Sequence, residues 1–365
     1  MIFSQQQFST AISAVYAAVA KNTTIPVLEF IKIEHINDSA VFTATNLETT
    51  IIFKFEVMEE FPTFMLEAKK IIKIIKVLNK VDDISIDIQE EHVLIKQGKD
   101  KYQIANYDAS DFPMTPESND FKHLGPFDKR LIRALSKSTH YSGNDELRPV
   151  MSGSSIFFDK EAIRIVATDA HRLIEISLAF TPEKDTEYPK NLIIPNTGLG
   201  HVLKLMNTTY DIYVSENMIA FKSVDTTILI TKVEGKFPNY KAVIPTNNEN
   251  SFTVNTKEFA NALAKASINA SLSTHAGKFI ISKDQIKIES VDLDFGQSSE
   301  IIIDGKVDSE EIMFGLNLNF AQILVKDIEN EDLTIQFSTP GRAIIIEEET
   351  EESQTLLLLM PIMVE

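Results

Sequence analysis

The sequence predicts an α+β chain made of one structural unit repeated three times. Three observations predict it: the length, a fixed order of helix-like and strand-like segments recurring about every 120 residues, and a Phe-Pro pair closing two of the copies. At roughly 150 residues per domain, 365 residues make two or three domains. With 44% apolar and 24% charged residues, such a chain has ordinary globular composition.

Each copy opens on a helix-like segment: FSTAISAVYAAVAK (8–21), PFDKRLIRALSKS (126–138) and TKEFANALAKASI (256–268). Alternating, β-branched sequence follows, as in IPVLEFIKIE, SSIFFDKEAIRIVATDAHRLIEISLAF and KFIISKDQIKIESVDLDF, and reads as strands. A second helix-like segment comes next: LEAKKIIKIIKVLNK (66–80), PNTGLGHVLKLMN (195–207) and GLNLNFAQILVKDI (315–328). More strands close each copy, and Phe112-Pro113 and Phe237-Pro238 mark the exit turn of two of them. The segments PMTPESND and PTNNENS place the boundaries, giving domains 1–121, 122–246 and 247–365, each with two helices on antiparallel sheets. Three unrelated α+β domains of similar size are the bland alternative; they leave the shared element order and the Phe-Pro endings unexplained.

Charge is segregated along this pattern. The whole chain carries 35 Lys+Arg against 53 Asp+Glu, a net charge of −18 that by itself argues against a nucleic-acid partner. Six segments around the helices (4–22, 66–81, 126–142, 195–209, 255–271 and 315–328) nevertheless hold 14 Lys+Arg and only 4 Asp+Glu. The helices are basic and the remainder acidic. Lys69, Lys73, Lys76 and Lys80 recur at steps of four, three and four, opposite an apolar stripe of Ile71, Ile74, Ile75 and Leu78. Arg130, Arg133 and Lys137 repeat the spacing in the second copy. One such stripe is ordinarily a solvated helix face. Six basic segments on a shared surface would confine phosphate attraction to one place, with backbone contact and no base reading, since no helix-turn-helix, zinc finger or RNP-like aromatic run is present.

Catalytic signatures are missing. The chain has no cysteine, which excludes disulfides, thiol nucleophiles, zinc ribbons and iron–sulfur clusters. No two of its seven histidines have the spacing of a helical metal pair, so no metal and no cofactor is expected. Gly-Lys pairs at Gly98, Gly235, Gly277 and Gly305 are never followed by Ser or Thr, so no P-loop is present. His171, beside Asp169 and Arg172 in ATDAHRL, is the best catalytic candidate, without a nucleophile or oxyanion feature near it. The N-terminus lacks a basic segment followed by an apolar core, and LLLLMPIMV (356–364) is too short to span a bilayer; a cytoplasmic location is expected.

Several stretches, TTIPVLEFIKIE (23–34), RPVMSG (148–153), VATDAHRL (166–173), FPNYKAVIP (237–245) and LLMPIMV (358–364), occur in the order and spacing of one family. Across all three copies the chain resembles the bacterial DNA polymerase III beta subunit, the sliding clamp. The resemblance implies the DNA-clamp fold, with two protomers forming a closed homodimeric ring around double-stranded DNA. It implies a non-catalytic processivity factor that is placed on DNA by an ATP-dependent clamp loader and tethers the replicative DNA polymerase and other proteins carrying a clamp-binding motif.

The family's peptide pocket maps onto Met151, Thr168, His171, Arg172, Leu173, Pro238, Val243, Asn317, Phe320, Leu359, Met360, Pro361 and Ile362. In this reading Leu173, Val243 and the terminal Leu-Met-Pro-Ile form an apolar floor, and His171, Arg172 and Asn317 a polar rim. The DNA-facing set is Lys21, Lys69, Lys73, Lys76, Lys80, Arg130, Arg133, Lys137, Arg148 and Lys204. The protomer interface maps onto Lys70, Tyr102 and Ile104 against the region of Ser271 and Leu272. Three departures from the family pattern stand out: Ala170 where glycine is common, Ala242 where a basic residue is frequent, and Glu365 at the end. Asn22 replaces an arginine used near DNA. A repeat-built protein scaffold without DNA binding and an enzyme using His171 are the competing readings.

Overall fold

The computed structural model describes residues 1–115, 121–145, 147–184, 186–206 and 209–364. The first repeat runs β1 (Ile2–Phe3), α1 (Gln5–Tyr16), β2 (Phe30–Ile36), β3 (Ser39–Thr45), β4 (Thr49–Glu56), β5 (Phe64–Glu67), α2 (Ala68–Val77), β6 (Ile84–Ile88), β7 (His92–Gln97) and β8 (Asp100–Ala105). The second runs β9 (Lys122–Phe127), α3 (Lys129–Ser138), β10 (Gly153–Phe158), β11 (Ala162–Thr168), β12 (Arg172–Ala179), β13 (Asn191–Pro195), α4 (Asn196–Leu205), β14 (Tyr210–Val214), β15 (Met218–Lys222) and β16 (Thr226–Thr231). The third opens with β17 (Asn250–Asn255), α5 (Thr256–Ser267), β18 (Ala276–Ser282), β19 (Gln285–Asp292), β20 (Gln297–Asp304) and β21 (Lys306–Asp308). It closes with β22 (Ile312–Asn317), α6 (Leu318–Lys326), β23 (Asp332–Phe337), β24 (Ile344–Glu349) and β25 (Ser353–Leu359).

Two compact units result. Unit 1 comprises Met1–Ile132, Asp185–Glu187 and Thr197–Lys232; unit 2 comprises Arg133–Lys184, Tyr188–Asn196 and Val233–Glu365. Unit 1 holds a four-stranded sheet, β1-β6-β7-β8, and an eight-stranded one, β5-β2-β3-β4-β16-β15-β14-β9. Unit 2 holds a nine-stranded sheet, β13-β10-β11-β12-β25-β24-β23-β17-β21, and a four-stranded one, β20-β19-β18-β22.

These orders resolve into two half-sheets per repeat, built the same way each time. One half-sheet ends on β8, β16 or β25, and the other on β4, β12 or β20. In unit 1, β4 pairs antiparallel with β16 from Thr49↔Ile230 to Phe53↔Thr226. In unit 2, β12 pairs with β25 from Arg172↔Leu359 to Leu178↔Ser353. The compact units therefore cut across the central repeat, whose half-sheets are each hydrogen-bonded into a neighbour. Strands β8 and β20 lie at the outer edges of the two remaining half-sheets.

Helices cover the sheets with the faces their periodicity predicts. Helix α1 buries Phe8, Ala11, Ile12 and Val15, α2 buries Ile71 and Ile75, and α5 buries Phe259, Ala262, Leu263 and Ala266. The first strand of a repeat sets a phenylalanine against its helix: Phe3 lies 5.7 Å from Phe8, and Phe252 lies 6.0 Å from Phe259. Both Phe-Pro phenylalanines are core anchors, Phe112 against Phe30 and Met65, and Phe237 among Val166, Leu173, Tyr240 and Leu358. Each such ring contributes about 1.5–3 kcal/mol of apolar burial.

The helices are shorter than their sequence pattern. Helix α2 stops at Val77, because the buried Gln97 side chain takes over the next turn, accepting from Asn79 N at 2.7 Å and donating to Asn79 O at 2.8 Å. Lys80 therefore leaves the lysine stripe for a turn. The segment 315–328 is helical only from Leu318, since Gly315 to Asn317 belong to β22 and Asn317 caps α6 through Oδ1 to Phe320 N at 3.1 Å. Likewise 122–127 is the strand β9, ahead of α3. No helix among the described residues is long and apolar enough to cross a membrane.

Candidate functional site

In unit 2 the TDAHR turn between β11 and β12 is built by two short side chains. Asp169 Oδ1 accepts from the backbone N–H groups of His171 and Arg172, each at 2.9 Å. Thr168 Oγ1 accepts from Ala170 N at 3.1 Å and donates to Arg172 O at 2.8 Å. Ala170 pays for the tight reversal with φ of 74°, in the left-handed region that favours glycine.

The turn fixes Arg172. Its Nε donates to Asp169 Oδ2 at 2.9 Å, while Cζ lies 4.3 Å from the Phe320 ring centre and 5.7 Å from that of Tyr141. Guanidinium over aromatic faces is attractive, and more so with little water present. Its Nη1 is buried without a hydrogen-bond partner among the described residues. Burial, reinforced by the neighbouring Asp327 carboxylate, pushes the Tyr141 hydroxyl far above the ordinary phenol range, so Arg172 rests on a neutral ring.

The end of the chain docks beside this turn. Strand β25 stops at Leu359, and Met360 N then donates to His171 O at 2.8 Å. Pro361 has no N–H to continue the ladder, and Ile362 N instead donates to Gly315 O on β22 at 2.9 Å. Gly315 is required there: a Cβ on it would lie 2.5 Å from Val364 Cγ1 and 2.6 Å from Ile362 O.

Of the expected pocket residues, hydrogen bonds and ring contacts bring Thr168, His171, Arg172, Phe320, Met360 and Ile362 to the turn or its neighbouring strands. His171, Pro238, Val243 and Met360 are exposed, and Phe320, Pro361 and Ile362 are half-buried. Leu173, Leu359 and Met151 are buried, so they support the floor instead of lining it. Leu173 pairs with Leu358 across β12 and β25 and shares a core with Phe237 and Tyr240, while Leu359, opposite Arg172, is buried on the other face of the sheet. Asn317 is not a free rim group, since its Oδ1 caps α6 and its Nδ2 donates to Thr274 O at 3.2 Å. Ala242 is exposed in the 240–243 turn, and Glu365 lies outside the described residues. Asp169, Tyr141 and Gly315 were missed by the sequence reading. A left-handed residue after an aspartate in a two-residue reversal was the available signal for Asp169; the other two depend on tertiary contacts.

The ten predicted DNA-facing cations divide into two groups. Lys69 pairs with Glu29 at 3.1 Å, Arg130 with Asp128 at 2.9 Å and Arg148 with Asp145 at 2.7 Å. Arg133 pairs with Glu352 in unit 2. Lys137 binds Glu329 Oε1 at 2.7 Å and donates to Asp327 O at 2.8 Å, tying α3 to the end of α6 and holding the Glu329 carboxyl below its usual range. Lys21, Lys73, Lys76, Lys80 and Lys204 have no carboxylate partner among the described residues, and all five belong to unit 1.

Lys76, Lys80 and Lys204 line one open groove of about 1150 Å³ in unit 1. Its opposite wall is the uncharged face of α1, Gln6, Ser9, Thr10 and Ser13, with the β15–β16 turn at one end. That polar stripe at steps of three, one and three was legible in the sequence and went unused. Nearby, His201 is pushed below the usual imidazole range, first by burial and then by the charges of Lys204 and Lys21.

The expected interface residues are mixed. Lys70 is exposed and paired to Glu67 at 2.7 Å, and Leu272 is exposed. Ile104 is 2% exposed and belongs to the core of unit 1, because on β8 it faces inward opposite Val93; Tyr102, two residues before it, is half-buried. Neither offers a free side-chain surface. The outer edge of β8 itself remains unpaired within the chain.

Family models match nearly the whole chain in three consecutive pieces. They are the N-terminal domain of the DNA polymerase III beta subunit over residues 1–116, the central domain over 128–239 and the C-terminal domain over 241–363. The chain belongs to the DNA polymerase III beta subunit family. Its relatives include the beta sliding clamp of Bacillus subtilis, 25% identical over 96% of each chain, and that of Staphylococcus aureus, 23% identical with the same coverage. In fold it is similar to the DNA polymerase III beta subunit of Pseudomonas aeruginosa, with a TM-score of 0.92 at 19% identity over the full length of both. It is also similar to a sliding clamp from Bartonella birtlesii crystallised with griselimycin, with a TM-score of 0.93 at 24% identity over 100% of this chain and 99% of that one. The three-repeat α+β architecture of this beta subunit family member is thus the DNA-clamp fold.

Proposed function

We propose that this beta subunit is a DNA sliding clamp: two copies close head to tail around duplex DNA and tether the replicative polymerase through the unit 2 pocket. The observation that carries the reading is the repeated strand joint. Every half-sheet ending on β4 or β12 is completed by one ending on β16 or β25, which leaves β20 and β8 as the unmatched pair. A second copy supplies the missing joint, and the contact is heterologous, so closure needs a rotation that returns to the start. Exposed Leu272, Leu293, Phe295 and Ile302 near β20 are apolar surface for a second copy to cover.

DNA is held by phosphate contact without sequence reading, through the unit 1 lysines that lack carboxylate partners, while the acidic remainder repels it elsewhere. Processivity follows from topology, and opening the ring is the work of a separate ATP-driven loader. In the pocket, an apolar anchor of a partner peptide sits on Val243, Met360, Pro361 and Ile362, with His171 and the buried Arg172 Nη1 meeting its polar atoms. The protein performs no reaction of its own and acts in the cytoplasm. The test is retention: loaded onto nicked circular DNA, it stays bound through gel filtration and is lost when the circle is cut. Equal loss from circular and linear DNA would refute the reading.

A further inference from the structure

We infer that Tyr141 is a positioning residue of the peptide pocket: with Phe320 it holds the Arg172 guanidinium in place, so that Nη1 is kept for a carbonyl or carboxylate oxygen of the incoming partner. The inference rests on the pocket reading and says what sets the pocket turn apart from its copy in unit 1.

That copy lies between β3 and β4. Thr45 Oγ1 accepts from Leu47 N at 3.1 Å and donates to Thr49 O at 3.2 Å, and Asn46 Oδ1 accepts from Glu48 N at 3.1 Å and Thr49 N at 2.7 Å. Leu47 has φ of 76°, against 74° for Ala170. Glu48 O accepts from Thr231 N at 2.8 Å, as His171 O does from Met360 N. The turn and its joint to the next strand therefore belong to the fold and form without an arginine.

What the copy lacks is the arginine and both of its rings. Thr49, buried, stands where unit 2 has Arg172. Ala18 holds the position of Tyr141: Ala20 N donates to Leu28 O, two residues after Pro26, as Gly143 N donates to Met151 O, two residues after Pro149. Gly198 holds the position of Phe320, because Asn196 N donates to Ser152 O just as Leu318 N donates to His275 O. A Cβ on Gly198 would lie 2.5 Å from Ile230 Cγ2, so no ring fits there. All three residues occur together in one unit and give way together to small ones in the other. The rings go with the guanidinium and not with the turn.

The contacts show how the ring acts. Phe320 and Asp327 are two turns apart and share a face of α6. Phe320 meets the guanidinium, while the buried Asp327 carboxylate lies beside the Tyr141 hydroxyl, with His140 Nδ1 3.3 Å from its Oδ2. Tyr141 is 0% exposed, so it touches no partner itself and works through Arg172. With Nε given to Asp169 Oδ2 and the guanidinium set against two rings, Nη1 stays buried and unpaired among the described residues. An unpaired buried donor is unfavourable, and a partner oxygen relieves it.

The experiment immobilises the full-length protein and passes over it the replicative polymerase of the same organism, with affinity read by surface plasmon resonance. Tyr141→Leu is expected to weaken capture about tenfold, and Tyr141→Phe, which keeps the ring, to stay within about twofold. A double-mutant cycle separates positioning from a merely structural role: in an Arg172→Ala background, Tyr141→Leu is expected to change affinity by less than about twofold. Thermal melts check each variant, and Tyr141→Met, which refills most of the volume, replaces the leucine variant if that one unfolds. With a wild type that captures polymerase, an equal loss from Tyr141→Leu in both backgrounds, or no loss in either, overturns the positioning role and leaves the pocket reading intact. So does an Arg172→Ala variant that binds as the wild type does. A wild type that captures no polymerase overturns both.

Discussion

Unit 1 and unit 2 are built from the same kind of half-sheets, yet they place part of their helix positive charge differently. In unit 1 the helix lysines Lys73, Lys76 and Lys204 face solvent without partners, and one groove collects two of them. In unit 2 three cations are used inside the fold, Arg133 and Lys137 clasping acidic residues of the third repeat and Arg172 stacked on Phe320 and Tyr141, while Lys257, Lys265 and Lys326 are exposed without a carboxylate partner among the described residues. The difference teaches that basic residues on homologous helices do different work depending on what the neighbouring repeat offers. The same positive charge is left open to solvent on some helices and used as a structural bracket on others.

The strongest way to break the contrast is to unseat the built side of unit 2. Gly315→Ala places a methyl group against Val364 and the Ile362 carbonyl, and overpacking of this kind costs about 1–3 kcal/mol. Denaturant unfolding should show that loss, with residues 360–364 open to proteolysis and a clamp-binding peptide no longer retained. Normal peptide affinity in this variant would mean that the docked tail does not shape the pocket.

Next in size is a substitution that makes unit 2 resemble unit 1. Glu329→Gln with Glu352→Gln frees Lys137 and Arg133, and the salt slope of DNA binding should steepen by roughly one for each cation that finds a phosphate. An unchanged slope would show that these side chains cannot reach the duplex even when released. Ala170→Gly relieves about 1–2 kcal/mol of left-handed strain, offset by about 0.5–1 kcal/mol of extra chain entropy. A small rise in melting temperature with peptide binding intact is expected.

The smallest effect is a pH dependence. Because Lys137 holds Glu329 below its usual pKa of 4.5, the stabilisation it gives is complete above that value and fades as pH falls through the lowered one. The stability difference between wild type and Glu329→Gln, under about 1 kcal/mol for so exposed a pair, should therefore vanish in acid and persist at neutral pH.

Much of this contrast was open to a reader of the sequence, and its decisive part was not. The order of helices and strands, the Phe-Pro anchors and the lysine stripe on α2 all follow from local periodicity. The partners of Arg133 and Lys137 lie 219 and 192 residues away, beyond anything spacing can report, so paired and unpaired cations looked alike. Family likeness named the residues around the 168–172 turn, but not which of them are exposed and which are buried. Both faces of the sheet are covered at the end of β25, so Leu173 on one face and Leu359 on the other are buried alike. Ile104 was misplaced because one step along β8 exchanges an outward face for an inward one.

The edges of β8 and β20 have a consequence for the solitary chain. Neither edge has a strand partner among the described residues, though Ser298 O on β20 accepts from Asn269 Nδ2 at 3.0 Å, and beside β20 lie the exposed Leu293 and Phe295. Such a rim is a template for any extended polypeptide. A chain that keeps both edges open is therefore prone to mispairing and clumping.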